Sequence, residues 1–214
     1  MHDTEVATPS KGVRLSKHRM EGLSDGVFAI VMTLLVLELK PPELPKGTSD
    51  AALLEKLLEL GPAFFTFVMT FLLAGLYWFL HHSSFQFVKH MTRAMVWFNL
   101  GFLMFVSLLP FSAALFGHFL RSSVAAEFYY GNQFMIGVFL IANWMYAKKK
   151  DLLADDLDPV HEHRLTWRLW MIPLGCLAAI GVSIVEPKYS SWGFLSILLV
   201  WRIISRFKER SVQA

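Results

Sequence analysis

The chain has 214 residues, 55% of them apolar and only 17% charged, against roughly 45–50% and about 25% in soluble domains. Its net charge is +3, and its 20 Lys and Arg gather in patches between long apolar runs, which is the pattern of a membrane protein and leaves no basic polar face for a nucleic acid. The one cysteine, Cys176, excludes an intrachain disulfide framework and any multi-cysteine metal site, and its apolar setting marks a small buried packing residue.

In chain order, residues 1–18 read as a polar tail. Apolar runs of bilayer-spanning length follow near 22–39, 62–80, 95–116, 126–147, 168–185 and 190–206, so the predicted fold is an all-α polytopic membrane protein with six transmembrane helices. Residues 19–206 form that domain, and 207–214 a second tail. No small-residue cleavage site follows the first run at Leu39-Lys40-Pro41-Pro42, so the run is expected to remain as a span. Between the first two spans, three prolines precede a short amphipathic pattern in which Leu53, Leu54, Leu57 and Leu58 share a face, with Glu55, Lys56 and Glu59 polar; this predicts a short interfacial helix. No three-plus-three internal repeat is evident.

Orientation follows from the basic residues. Fifteen of the 20 Lys and Arg lie in the tail through Arg19, the 81–94 loop, the 148–168 linker and the segment from Arg202 onward. The other five, Lys40, Lys46, Lys56, Arg121 and Lys188, lie in the alternate loops. Both termini are therefore expected in the cytoplasm, and an even number of spans agrees with that. The Lys148-Lys149-Lys150 cluster suits the same positive-inside rule, and also suits contact with anionic lipid headgroups.

The first span, "HRMEGLSDGVFAIVMTLLVLELK", carries an aspartate into its opening turns. On a helix at 100° per residue, with Ile30 at zero, Thr33 falls at about −60°, Leu34 at about +40° and Leu37 at about −20°, one stripe, while Asp25 points about 140° away. A carboxylate in this setting must face other helices and find a partner. Ser24 and Asp25 suit a helix N-terminus, Arg19 is a counter-ion within reach, and Gly26 permits close approach of another backbone. The apolar stripe suits either lipid or a pore, and periodicity alone does not choose. Glu38, at about +80° near the outer end, suits a pore mouth or the cap of a neighbouring helix.

"RMEGLSDG" (Arg19 to Gly26) resembles the Arg-x-x-x-Phe-Ser-Asp-Gly signature that opens the first helix of the transmembrane protein 175 family. "GLYWFLHHSSF" (Gly75 to Phe85) is similar to the Gly-x-Tyr-Trp-x-x-His-His-x-x-Phe close of that family's second span. "NLGFLMFVSLLPF" (Asn99 to Phe111) resembles its third span. Leu23 departs from the family's phenylalanine and loses an aromatic contact. The motifs cover residues 19–111; the last three spans agree in number only.

The resemblance implies a potassium-permeable channel with no cofactor and K⁺ as permeant ion. Homotetramers would assemble with the first helix of each copy lining a central pore, without the Thr-Val-Gly-Tyr-Gly filter loop. It further implies that Ile30 is the constriction, that Leu34 and Leu37 are the next pore layers, and that Thr33 is a neighbouring hydroxyl layer. Single-repeat relatives are bacterial, which implies the inner cell membrane, with lipids as the other partner. Arg19, Ser24, Asp25, Trp78, His81, His82 and Asn99 all fall at cytoplasmic ends and are expected to tie the first three spans together, a network costly to leave half-satisfied.

Two other readings are weaker. A metalloenzyme would draw on His81, His82, His90, His118, His161 and His163, but the first two point about 100° apart, His118 lies at the opposite membrane face, and the spans hold no Glu-x-x-His pairs. The alternative function, a secondary and proton-coupled transporter, fits Pro110 and Pro173 as helix breakers, yet no Asp, Glu, Lys or Arg lies mid-span. No catalytic residue is expected.

Overall fold

The computed structural model describes residues 16–186 and Tyr189. These form seven helices: α1 (Lys17–Leu37), α2 (Asp50–Glu59), α3 (Gly61–Phe85), α4 (Arg93–Ser107), α5 (Leu109–His118), α6 (Ser123–Lys149) and α7 (Pro159–Val185). No β-strand occurs among the described residues beyond one isolated bridge, Val88 with Leu153. Four stretches are long and apolar enough to cross a membrane: α1, α3, the α4–α5 pair and α7. They correspond to the first, second, third and fifth predicted spans. The sixth, 190–206, and the tail 207–214 lie outside the described residues.

Local chemistry sets the ends. Thr92 and Ser122 accept from the backbone N–H of Met95 and Ala125 and so cap α4 and α6. Asp158 caps α7 from Val160, with Pro159 at the first helical position, where its missing N–H costs nothing. The third span is broken at Leu108, two residues before Pro110, because proline offers no N–H to continue the ladder. α6 fills the fourth predicted span and buries Asn132, Gln133 and Asn143; it is not among the four stretches apolar enough to cross a membrane by composition.

α6 packs most extensively against α7 and α4, while α1 rests on α3, α4 and α5. Gly137 of α6 lets α7 close in at its internal Pro173: a Cβ there would stand 2.8 Å from both Ile172 Cγ2 and Pro173 Cδ. Buried polar side chains pair across the helices. Tyr77 donates to Gln133 Oε1 at 2.6 Å, the Thr70 and Tyr129 hydroxyls meet at 2.8 Å, and Trp144 Nε1 donates to Thr166 at 2.8 Å. Such pairs are what an apolar surround requires of groups that water cannot reach. α2 has no buried residue, and its four leucines are exposed.

Candidate functional site

α1 has two unlike faces. Phe28, Val31 and Leu35 are 2%, 3% and 1% exposed and pack into the helical body. On the opposite side Ile30 is 60% and Leu37 67% exposed, with Leu34 and Thr33 exposed between them. The stripe expected of Ile30, Thr33, Leu34 and Leu37 is therefore one uncovered face of the single chain. Gly26 lies on it too, and a Cβ there would meet nothing within 4 Å, so no backbone of its own chain approaches. The Thr33 hydroxyl lies 2.7 Å from the carbonyl of Ile30 and 3.1 Å from that of Ala29. Its single hydrogen is thus committed to its own helix, which leaves the oxygen lone pairs free to face outward.

The N-terminal half of α1 is pinned by directional contacts. Ser24 is fully buried; its hydroxyl donates to the carbonyl of Met20 at 3.0 Å and accepts from Asn99 Nδ2 at 3.2 Å. Asn99 Oδ1 then faces His81 Nε2 at 2.7 Å. Because the amide nitrogen is spent on Ser24, the proton of that bond belongs to His81 Nε2, which fixes the tautomer. Phe85 and Phe102 stack on the two sides of the His81 ring, with centroids at 4.1 and 5.1 Å. Trp78 donates through Nε1 to Asp25 Oδ1 at 2.8 Å and stacks on His82 at 5.7 Å. Ser24, Asp25, Trp78, His81, His82 and Asn99 are thus brought together from α1, α3 and α4.

Two expectations need correction. α1 starts at Lys17, so Ser24 and Asp25 sit two turns inside the helix and do not cap its first turn. Arg19 is exposed and makes no ion pair with Asp25; the indole N–H of Trp78 holds that carboxylate instead. Glu38 is the C-terminal cap residue of α1, half-buried, and lines an apolar pocket shared with His118 of α5. Among the described residues no three His, Cys, Asp or Glu side chains converge as a metal site would require. His161 packs edge-on against Phe87, and His163 accepts from Trp167 Nε1 at 2.9 Å.

One contact had no motif to announce it. Lys17 Nζ donates to the carbonyls of Gln86 and Val88, each at 3.0 Å, and so ties the start of α1 to the α3–α4 loop. That loop is braced against the α6–α7 loop by Lys89 N–H to Leu152 O and Ala154 N–H to Phe87 O, both 2.8 Å, and by the Lys89–Asp155 ion pair. The bond to Asp155 holds the Lys89 ammonium above the ordinary lysine range.

The family model described as the endosomal/lysosomal potassium channel TMEM175 matches residues 19–110. A potassium channel of Chamaesiphon minutus is 34% identical over 187 residues, covering 86% of this chain and 91% of that protein. A potassium channel of a Chryseobacterium species is 41% identical over 113 residues, covering 52% of this chain and 55% of that protein, so this match spans about half of the relative's length. Among solved structures, a lysosomal potassium-selective channel TMEM175 homolog from Chamaesiphon minutus superposes with a TM-score of 0.75 at 29% identity, over 88% of this chain and 97% of that one.

Proposed function

The chain belongs to the TMEM175 family, and from that premise we propose that it is a potassium channel of the cell membrane, assembled from four copies around a pore lined by α1. The observation that carries the reading is the uncovered face of α1. Ile30, Thr33, Leu34 and Leu37 share it, directly opposite the side that Phe28, Val31 and Leu35 bury.

Four Ile30 side chains around an axis make an apolar ring with no group to replace an ion's hydration shell. A tight ring of this kind excludes water and holds the pore closed; a slightly wider one passes a partly dehydrated cation. K⁺ gives up its shell at lower cost than Na⁺, so the ring prefers K⁺, more weakly than a carbonyl filter does. Thr33 oxygens offer acceptors next to the ring, and Leu34 and Leu37 extend the apolar passage. Glu38, at the outer end, raises the local cation concentration at the mouth. Six spans, with 190–206 as the last, put both termini on one side, and the basic residues make that side the cytoplasm. Ser24, Asp25, Trp78, His81, His82 and Asn99 then seat α1 on its own subunit at the inner side, while Arg19 and Gly26 stand on the uncovered face.

The test is ion flux through purified protein in liposomes holding a K⁺ gradient, repeated with Na⁺, for the wild type and Ile30→Asn. Passive flux that favours K⁺ in the wild type and loses that preference in the variant is the expected result. No flux, or saturable flux that demands a coupled second ion, sinks the channel reading and favours a transporter. An unchanged preference in Ile30→Asn removes the constriction from Ile30.

A further inference from the structure

We propose that Lys17 is a positioning residue for the constriction: its ammonium clamps the cytoplasmic end of α1 to the braced loop pair and thereby sets where Ile30 stands. The inference rests on the reading of α1 as the pore-lining helix.

The argument is one of levers. Ser24, fully buried and bonded to Asn99, is the fixed point of α1. Lys17 lies seven residues to one side of it and Ile30 six to the other, or about 10 and 9 Å along a helix rising 1.5 Å per residue. A tilt of about 5° about Ser24 therefore moves Ile30 by about 0.8 Å and Lys17 by a similar distance in the opposite direction. Beyond Asp25, α1 is seated by Phe28, Val31 and Leu35, and apolar packing is not directional. At the other end a movement of that size is either taken up by the Lys17 stem, off its staggered rotamers, or it breaks two 3.0 Å bonds, and each costs energy. The clamp thus adds a directional restraint to the one that close packing already supplies.

Its anchor point is firm. The carbonyl of Gln86 closes α3, where unpaired carbonyls attract a cation. Val88 is buried with Met91, Leu152 and Leu153 and bridged to Leu153 across the two loops. Lys17 also sits 3.9 Å from Glu21 one turn along α1, which aims the side chain along its own helix. A lysine that served only as a positive-inside charge would extend into water; this one is turned inward onto two backbone acceptors.

The experiment reads K⁺ and Na⁺ flux in liposomes for the wild type, Lys17→Met, Lys17→Arg and Lys17→Gln, with assembly checked by size exclusion. Methionine keeps the apolar stem and removes every donor; arginine and glutamine each keep at least two N–H donors. In Lys17→Met the K⁺/Na⁺ flux ratio is expected to fall about twofold or more, the scale seen for residues that touch neither ligand but tune a site. Lys17→Arg or Lys17→Gln is expected to restore it. A ratio equal to wild type in assembled Lys17→Met overturns the proposal. So does a fall in both fluxes alike with the ratio unmoved, or a ratio that neither donor-bearing variant recovers. If Lys17→Met does not assemble, Lys17→Ala, which also lacks every side-chain donor, takes its place: a lowered ratio upholds the clamp and an unchanged one overturns it. A wild type without ion preference fails the pore reading and is thereby distinguished from a failure of the clamp.

Discussion

At the scale of single residues, the anchors of α1 differ in how much each had to reveal. Asn99 satisfies two neighbours at once, Ser24 through its nitrogen and His81 through its oxygen. Replacing it with leucine keeps the volume and leaves the His81 N–H with only Ser24 Oγ, 3.5 Å away, as a partner. A buried donor so stranded costs about 1–3 kcal/mol. Asn99→Leu is expected to lower the melting temperature of detergent-purified protein by several degrees while the K⁺/Na⁺ flux ratio of the protein that still assembles stays at the wild-type value. A shifted ratio at unchanged stability would move Asn99 from a structural to a selectivity role. The gathering of Ser24, Trp78, His81 and Asn99 was legible because motif residues at neighbouring ends of three successive spans fall at one level and can meet. The partner of Asp25 was not: both a guanidinium and an indole N–H suit a carboxylate, and only the fold decides which arrives. Lys17 was invisible for a different reason. In a count of positive charges every lysine is equivalent, and nothing in the sequence says that this one turns back onto carbonyls 69 and 71 residues away.

At the scale of helices, apolar runs located the four described stretches that are long and apolar enough to cross a membrane, and the helix limits less well. α7 was expected from 168 and begins at Pro159, where Asp158 caps it. The run marks the apolar part of a helix, whereas the helix itself continues until its backbone N–H groups find another acceptor. How tightly helices approach is the property least visible in one dimension. Gly101 and Gly137 both lie inside helices, and alanine gains up to about 1 kcal/mol in intrinsic helix propensity over glycine. A Cβ on Gly101 collides with the ring of half-buried Phe139, a side chain that can swing aside. A Cβ on Gly137 meets the Pro173 ring at 2.8 Å and its backbone nitrogen at 3.1 Å, which cannot. Overpacking of that kind costs about 1–3 kcal/mol. Thermal melts of the two alanine variants are expected to rank Gly137→Ala clearly below wild type and Gly101→Ala close to it. The reverse order, which the nearer clash at Gly101 alone would give, would show that the α6–α7 contact yields more readily than the α4–α6 contact.

At the scale of the whole molecule, the sequence carried the helical body of one subunit, while the assembly entered only through resemblance, because a helical wheel cannot distinguish lipid from another copy of the same helix. The structure adds one fact to that question. Arg19, Leu23, Gly26, Ile30, Thr33 and Leu37 are all exposed and follow one another in alternating steps of four and three. Steps of three and four trace any one face of a helix, so they mark one continuous uncovered strip; the pore reading turns that strip to the axis. If four copies present this strip to one axis, cysteines on it come within disulfide range of their counterparts, whereas cysteines on the buried face do not. The sole native cysteine, Cys176, is buried and can be replaced by serine to clear the background. Under mild oxidation in membranes, Ile30→Cys and Leu37→Cys are expected to run as covalent dimers on non-reducing gels, and Val31→Cys and Leu35→Cys as monomers. Dimers from the second pair and not the first would mean that α1 turns its Phe28 face to the axis, and the pore would have to be sought on another helix.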